Sequence, residues 1–323
     1  DIKEIAKYGL ENDQERLVIT LNELIEHAKQ TKKINFALQL QSILKDAIRN
    51  KDNSKVFKIG NTKHTHQEED REISEFIIEK LTSDYRFNNL VCSEDVSINL
   101  KYFVQEHDSI KILQKYELPV SNKILLHGPS GCGKTLAAYV LAGELQKLMM
   151  VINLGAIVSS KLGETSKNLA RIFRRATAED CIIFIDEFDT LGKVRDYTQD
   201  HGEMKRVVNT ILQLFDYLPQ TSIIIAATNQ KEMIDDALLR RFDLSVKLEL
   251  PNLAQIKMLI NNTLASIPFK FDNKTFADKL TKKCLGLSYY SIQKTLLSAV
   301  KRTVILGEVA GENEKKISTQ MWD

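Results

Sequence analysis

The sequence predicts an α/β fold in which a parallel sheet is covered by helices on both faces. A helical hairpin precedes it and a small all-helical lid follows. Three observations carry this. Short, nearly continuous apolar runs alternate with helical patterns through the middle of the chain, the rhythm of βαβ units. After Pro251 the pattern becomes purely helical, and two amphipathic repeats stand ahead of the sheet, within 11–50. At 323 residues the chain corresponds to about two domains. It can bury a core without disulfide or metal staples.

In the hairpin, Leu17, Leu21, Leu24 and Ala28 recur at helical spacing, and Phe36, Leu40, Ile43 and Ala47 repeat it. Asn12 and Glu15 form a capping pair for the first helix. The connector Gln30-Thr-Lys-Lys is short, so the helices are expected to pack antiparallel. Eight basic and eight acidic residues lie in 1–50. Two helices bury little area alone, so 1–50 reads as an adaptor that docks on the rest of the chain or on a partner. Residues 51–89 read as a linker: 51–72 is polar, and apolar spacing returns at Ile73, Phe76, Ile77 and Leu81.

The α/β domain is expected over 90–250. Strands are read at 123–127, 149–153, 181–186, 222–226 and 244–250, with helices between them at 134–147, 166–179 and 203–217. Strands this continuously apolar belong to a sheet buried on both sides. The lid, 251–323, carries helices at 253–266, 274–284 and 289–306. Its eleven Lys/Arg against six Asp/Glu leave it net +5.

Composition excludes several classes. Lys plus Arg number 45 against 43 Asp plus Glu, a net charge of +2. There is thus no global basic field for nucleic acid and no solvating acidic tail. The longest apolar runs, such as Cys181-Ile-Ile-Phe-Ile185, are about five residues, against roughly 18 for a membrane-spanning helix. Asp1-Ile-Lys-Glu has none of the apolar character of a secretory signal. The four cysteines form no CxxC pair, and the six histidines are scattered. A cytoplasmic protein with reduced, mostly buried thiols and no Cys/His metal site is expected.

The chemistry begins at Gly128-Pro129-Ser130-Gly131-Cys132-Gly133-Lys134-Thr135. This segment follows a strand, opens a helix and matches G-x-x-x-x-G-K-[ST], the P-loop of nucleoside triphosphatases. Glycines let successive backbone N–H groups converge on phosphate oxygens, and the helix N-terminus adds partial positive charge. Lys134 would reach the β- and γ-phosphates of ATP, and the Thr135 hydroxyl would ligate Mg²⁺. Cys181-Ile-Ile-Phe-Ile-Asp186-Glu187 is an apolar strand ending in two carboxylates. In a parallel sheet it opens onto the same crevice as the P-loop. Asp186 would orient the Mg²⁺ shell and Glu187 would polarise the attacking water.

With these motifs the chain resembles the AAA ATPases, the AAA+ branch of the P-loop NTPases, over about 90–306. Ile223-Ile-Ile-Ala-Ala-Thr-Asn229 resembles the family's sensor-1 strand, which implies that Asn229 holds the lytic water and senses the γ-phosphate. Residues 206–216 and 236–243 look like the two ends of its second region of homology. The resemblance implies that Arg240 and Arg241 are supplied to the ATP of a neighbouring subunit in a homo-oligomeric, hexameric ring. The stretch 153–168 resembles the segment whose loop faces the central pore. An aromatic–aliphatic pair is usual there, and this chain has Lys161-Leu162. Other departures are the missing Pro-Gly between the arginines and the lid sequence Gly286-Leu-Ser-Tyr-Tyr-Ser-Ile292, which has no arginine. The segment ahead of the P-loop also departs from the family pattern. These features look like a bacterial group of compact AAA ATPases with a helical N-terminal extension, some of them paired with a subtilisin-like serine protease.

The expected function is Mg²⁺-dependent ATP hydrolysis in a ring, coupled to remodelling of a protein partner. A nucleotide-controlled switch that gates a partner enzyme, such as a subtilisin-like protease, is the alternative, and Lys161 favours it. A nucleic-acid motor rests only on the lid's net charge and is the weakest reading.

Overall fold

The computed structural model describes residues 14–30, 37, 39–40, 76–158, 164–193, 201–265, 267, 269–271, 274–305 and 315–317. The first helix, α1 (Gln14–Gln30), matches the first expected helix of the hairpin. It packs Ile25 and Ala28 against Ala37. Asn12 and most of the second hairpin helix lie outside the described residues.

The main domain opens with β1 (Ile77–Leu81) and a turn of 3-10 helix at Phe87–Asn89. Helix α2 (Glu94–Asp108) starts at Ser93, whose hydroxyl accepts the Val96 N–H at 3.4 Å. Short α3 (Ile110–Lys115) leads to β2 (Lys123–His127), then α4 (Lys134–Glu144) and β3 (Met149–Ile152). Next come α5 (Leu154–Val158), α6 (Thr165–Ala178), β4 (Ile182–Ile185), α7 (Thr190–Lys193) and α8 (His201–Asp216). Strand β5 (Ile224–Thr228), the single turn α9 (Asp236–Leu239) and β6 (Leu244–Lys247) complete the domain.

Six strands form one sheet in the order β1-β3-β4-β5-β2-β6. Five run parallel. The parallel sheet expected from sequence is thus present, and the edge strand β1 is added to it antiparallel to β3. Strand β1 lies in the stretch read as a linker. Its pattern Ile-Ile-Glu-Lys-Leu lacks the continuous apolar run of a central strand, because an edge strand is only half covered.

Side chains of the central strands alternate between two cores, as the pleat demands. Ile183 and Ile185 of β4 join Ile224 and Ala226 of β5 on the face covered by α6 and α8, among Ile172, Phe173, Val207, Ile211 and Phe215. Ile182 and Phe184 join Ile225 and Ala227 on the opposite face, under Leu100 and Phe103 of α2 and Ala137, Ala138 and Leu141 of α4. Each large apolar side chain buried this way contributes about 1.5–3 kcal/mol.

Gly143, near the end of α4, admits the loop that leads from β1 toward the site. A Cβ there would stand 2.1 Å from the Tyr85 carbonyl oxygen and 3.1 Å from that of Ser83. Both are backbone atoms and cannot step aside. Gly143→Ala should therefore destabilise the fold by about 1–3 kcal/mol through overpacking, although alanine is worth up to about 1 kcal/mol more than glycine in a helix. A denaturant midpoint at or above that of the parent chain would contradict this.

The lid contains α10 (Leu253–Ala265), β7 (Phe269–Phe271), α11 (Lys274–Lys283), α12 (Tyr289–Ile305) and β8 (Lys315–Ile317). The three helices fall where the sequence puts them. The lid is not all-helical, however: β7 and β8 pair in parallel and bury Phe269 and Ile317 in its core. Strands of three residues are too short to show a period. Among the described residues no helix is long and apolar enough to cross a membrane.

Candidate active site

The register of the sheet assembles the site. His127 of β2 stands opposite Thr228 of β5, and Ile185 of β4 opposite Ala226. The segments beginning at Gly128, Asp186 and Asn229 therefore leave the same carboxyl edge, where open α/β sheets bind ligands.

The P-loop turns through three positive-φ glycines, Gly128, Gly131 and Gly133, at 136°, 74° and 89°. Lys134 opens α4 and is 7% exposed. Its Nζ donates to the Gly128 and Pro129 carbonyl oxygens, each at 2.8 Å, which braces the loop. Burial lowers its pKa from the ordinary lysine value, and the nearby Cys132, Asp186 and Asp189 oppose that shift.

The Thr135 hydroxyl donates to Asp186 Oδ2 at 3.1 Å. Sequence placed both residues on Mg²⁺, and the fold brings them into contact. A hydroxyl and a carboxylate are hard oxygen donors that suit this ion. The other Asp186 oxygen accepts the Glu187 N–H at 2.8 Å. Glu187 has φ 51°, a conformation rarely adopted by non-glycine residues. Its carbonyl accepts the Thr190 N–H at 2.9 Å and the Thr190 hydroxyl at 2.7 Å. The Phe188 N–H is bound to the Ala227 carbonyl at 2.8 Å. Glu187 thus turns its exposed side chain to the cleft from a fully tethered backbone.

Asn229 follows β5, the strand that lies between the one ending at Asp186 and the one leading into the P-loop. Its neighbours are fixed by Thr228, whose hydroxyl donates to buried Asp189 at 3.0 Å and accepts the Gln230 N–H at 3.0 Å. Asp189 carried no motif in the sequence. Its role is legible only once β4 and β5 are side by side.

A cleft of about 480 Å³ joins Ser130 through Thr135 to Asp186, Glu187 and Asn229. Two further walls were not expected from sequence. Asn89, Leu90 and Val91 close one side, in the segment that departs from the family pattern. The lid closes another with Leu259, Tyr289, Tyr290 and Gln293. The lid meets the P-loop directly: the Tyr290 N–H donates to the Gly131 carbonyl at 3.1 Å, and a Cβ on Gly131 would stand 2.6 Å from Ser288 Oγ. Burial pushes the Tyr289 phenol up to about 12, so it stays a neutral hydrogen-bond donor.

Arg240 and Arg241 do not line this cleft; both are exposed beyond α9. Lys161 and Leu162 lie outside the described residues. The four thiols are free, and Cys132, Cys181 and Cys284 are buried. A phosphate-binding loop, a buried ammonium, a hydroxyl–carboxylate pair suited to a divalent cation and a second carboxylate are the groups that hydrolysis of a nucleoside triphosphate requires.

Comparison with known proteins agrees. The model of the ATPase family associated with various cellular activities (AAA) matches residues 124–250. Over 228 residues the chain is 32% identical to an uncharacterized AAA family ATPase of Sinorhizobium fredii, covering 71% of this chain and 68% of that one. It is 28% identical to a putative 26S proteasome regulatory subunit homolog of Methanocaldococcus jannaschii, covering 68% and 59% of the two chains. It is 35% identical to the ATP-dependent zinc metalloprotease FtsH 3 of Sphaerobacter thermophilus, covering 54% and 37%. The last two matches thus span less than two thirds of their relatives' length. With the P-loop, the acidic strand end and the Asn-bearing strand converging on one cleft, and with this similarity, the chain belongs to the AAA family of ATPases.

Proposed function

We propose that this ATPase works as a homo-oligomeric ring, with each nucleotide site completed by arginine from the adjacent subunit, and that hydrolysis remodels a protein partner. One observation carries the reading. All cleft-lining groups of the P-loop, β4 and β5 converge, yet Arg240 and Arg241 stand exposed outside the cleft of their own chain. A cation aimed at the γ-phosphate stabilises the charge of the transition state by about 10³–10⁵ in rate, so exposed arginines at this edge suit a neighbour's site.

In hydrolysis, the water oxygen forms a bond to the γ-phosphorus as the bond to the β–γ bridging oxygen breaks, leaving ADP and phosphate. Glu187 accepts the water proton. Asn229 orients that water from β5. The P-loop amides and Lys134 hold the β- and γ-phosphates. Thr135 and Asp186 would hold magnesium, which when bound neutralises charge on the phosphate oxygens. The lid residues Tyr289, Tyr290 and Gln293 enclose the nucleotide, so the lid–P-loop contact responds to what the cleft contains.

Protein remodelling is supported by similarity to a proteasome regulatory subunit homolog and to an ATP-dependent protease. The second reading, a cytoplasmic switch that gates a partner enzyme such as a subtilisin-like protease, is supported by Lys161-Leu162. A lysine grips a passing polypeptide less well than an aromatic ring. In either case residues 1–50 are the proposed docking module, 90–250 the ATPase domain and 251–323 the lid.

The shared site is tested by mixing Glu187→Gln subunits with Arg240→Ala/Arg241→Ala subunits. Each alone should be slower than the parent by about 10³-fold or more. A mixed ring contains some interfaces with an intact Glu187 on one side and intact arginines on the other, so activity should reappear in proportion to such pairs. A mixture as silent as its components, with co-assembly shown by mass, would count against shared sites.

A further inference from the structure

Arg240 and Arg241 are neighbours in sequence but not equivalent in the fold. Arg241 is bound to its own chain: Nε donates to Asp216 Oδ1 at 2.6 Å and Nη2 to Asp216 Oδ2 at 3.2 Å, a two-point fork on the last residue of α8. Asp216 raises the guanidinium pKa further above its ordinary value. Among the described residues Arg240 has no such ion pair, and its backbone N–H closes α9 on the Asp236 carbonyl at 3.1 Å.

The residues on either side of this fork lead inward. Phe242 packs edge-on against Phe215 at 5.5 Å and against Phe188 at 5.7 Å, and Phe188 is fully buried. Phe215 precedes Asp216, and Phe188 directly follows Glu187. Asp243 then accepts the N–H groups of Asn122 and Lys123, each at 2.9 Å, which pins the segment to the start of β2. The arginine edge is thereby built onto the turn that carries Glu187.

The structure assigns the two arginines to different tasks: Arg240 is the cation presented to the neighbour, and Arg241 is a positioning residue, clamped to Asp216, that holds this edge against the Phe188–Phe215–Phe242 cluster. The assignment rests on the shared-site reading. The fork commits the Nε–H and one Nη2–H of Arg241 to Asp216, which fixes where this guanidinium stands and pairs its charge within its own chain, whereas among the described residues Arg240 has no ion pair.

The test is a double-mutant cycle on the whole 323-residue chain at a concentration where assembly is verified by mass. Arg240→Ala should lower kcat by about 10³-fold. Arg241→Gln and Asp216→Asn should each lower kcat by about tenfold, and the double variant by no more than either, because the two act as one unit. Arg241→Lys, which keeps one hydrogen bond to Asp216, should recover part of the loss. The KM for ATP should not move, and thermal midpoints should match the parent, which separates positioning from unfolding. If Asp216→Asn leaves turnover within about twofold of the parent, the assignment is overturned, whatever Arg241→Gln does. An Arg241→Gln defect as deep as that of Arg240→Ala, with Asp216→Asn silent, shows that Arg241 serves the neighbour; shared sites then stand. If Arg240→Ala retains the parent rate, the assignment is overturned; if Arg240→Ala and Arg241→Gln both retain it, the shared-site reading itself fails.

Discussion

Glu187→Gln should lower kcat by about 10³-fold, within the range ascribed to a positioned general base, while ATP binding stays within a few-fold. The side chains are nearly the same size, so the turn should survive. That turn is held by backbone groups: the Glu187 N–H on Asp186, the Glu187 carbonyl on Thr190 and the Phe188 N–H on Ala227. None of these bonds uses the Glu187 carboxylate. What is lost is the ability to accept a proton from water at the moment the new bond to phosphorus forms. The variant should therefore accumulate a nucleotide-bound state, with kcat depressed and affinity for a fluorescent ATP analogue preserved. Single-turnover hydrolysis measured beside equilibrium binding makes the distinction. Equal losses in both would place Glu187 in binding. A rate near that of the parent would remove it from the chemistry altogether.

The parts of this molecule that were legible in the sequence are those whose physics is local. Strands β3, β4 and β5 are buried on both faces and so had to be written almost entirely in apolar residues. The P-loop declares itself because a backbone that turns around phosphate needs glycine at fixed offsets. Asp186 and Glu187 were readable because they end an apolar strand. Strand β1 was not readable, since an edge strand covered on one side carries two charged residues in five. Nor was the β7–β8 pair, whose partners are separated by two helices and are three residues each. The walls made by Leu90, Tyr289 and Tyr290 had no signal, because a side chain that merely closes a cleft needs shape rather than a particular chemistry. Sequence grouped Arg240 with Arg241, and only the position of Asp216 at the end of α8 separates them.

Lys134→Ala should weaken ATP binding by about 100-fold or more and abolish measurable turnover, the scale expected when charged hydrogen bonds worth roughly 1.5–3 kcal/mol each are removed. Two losses combine. The ammonium that would meet the β- and γ-phosphates disappears, and so does the brace across the Gly128 and Pro129 carbonyls, both now 2.8 Å from Nζ. With the brace gone, two carbonyl oxygens face a site meant for anions without the cation that offsets them. Lys134→Arg separates the effects. If only positive charge mattered, arginine would restore binding. The site is narrower than that: Lys134 is 7% exposed at the first turn of α4, beside Thr135 and its Asp186 contact. A planar guanidinium cannot replace a compact ammonium there without pushing the loop outward. Both variants should fail in calorimetric titration with ATP, with thermal midpoints in the absence of nucleotide lowered by several degrees at most, so that both stay folded at the titration temperature. Wild-type affinity in Lys134→Arg would reduce the role of Lys134 to charge alone.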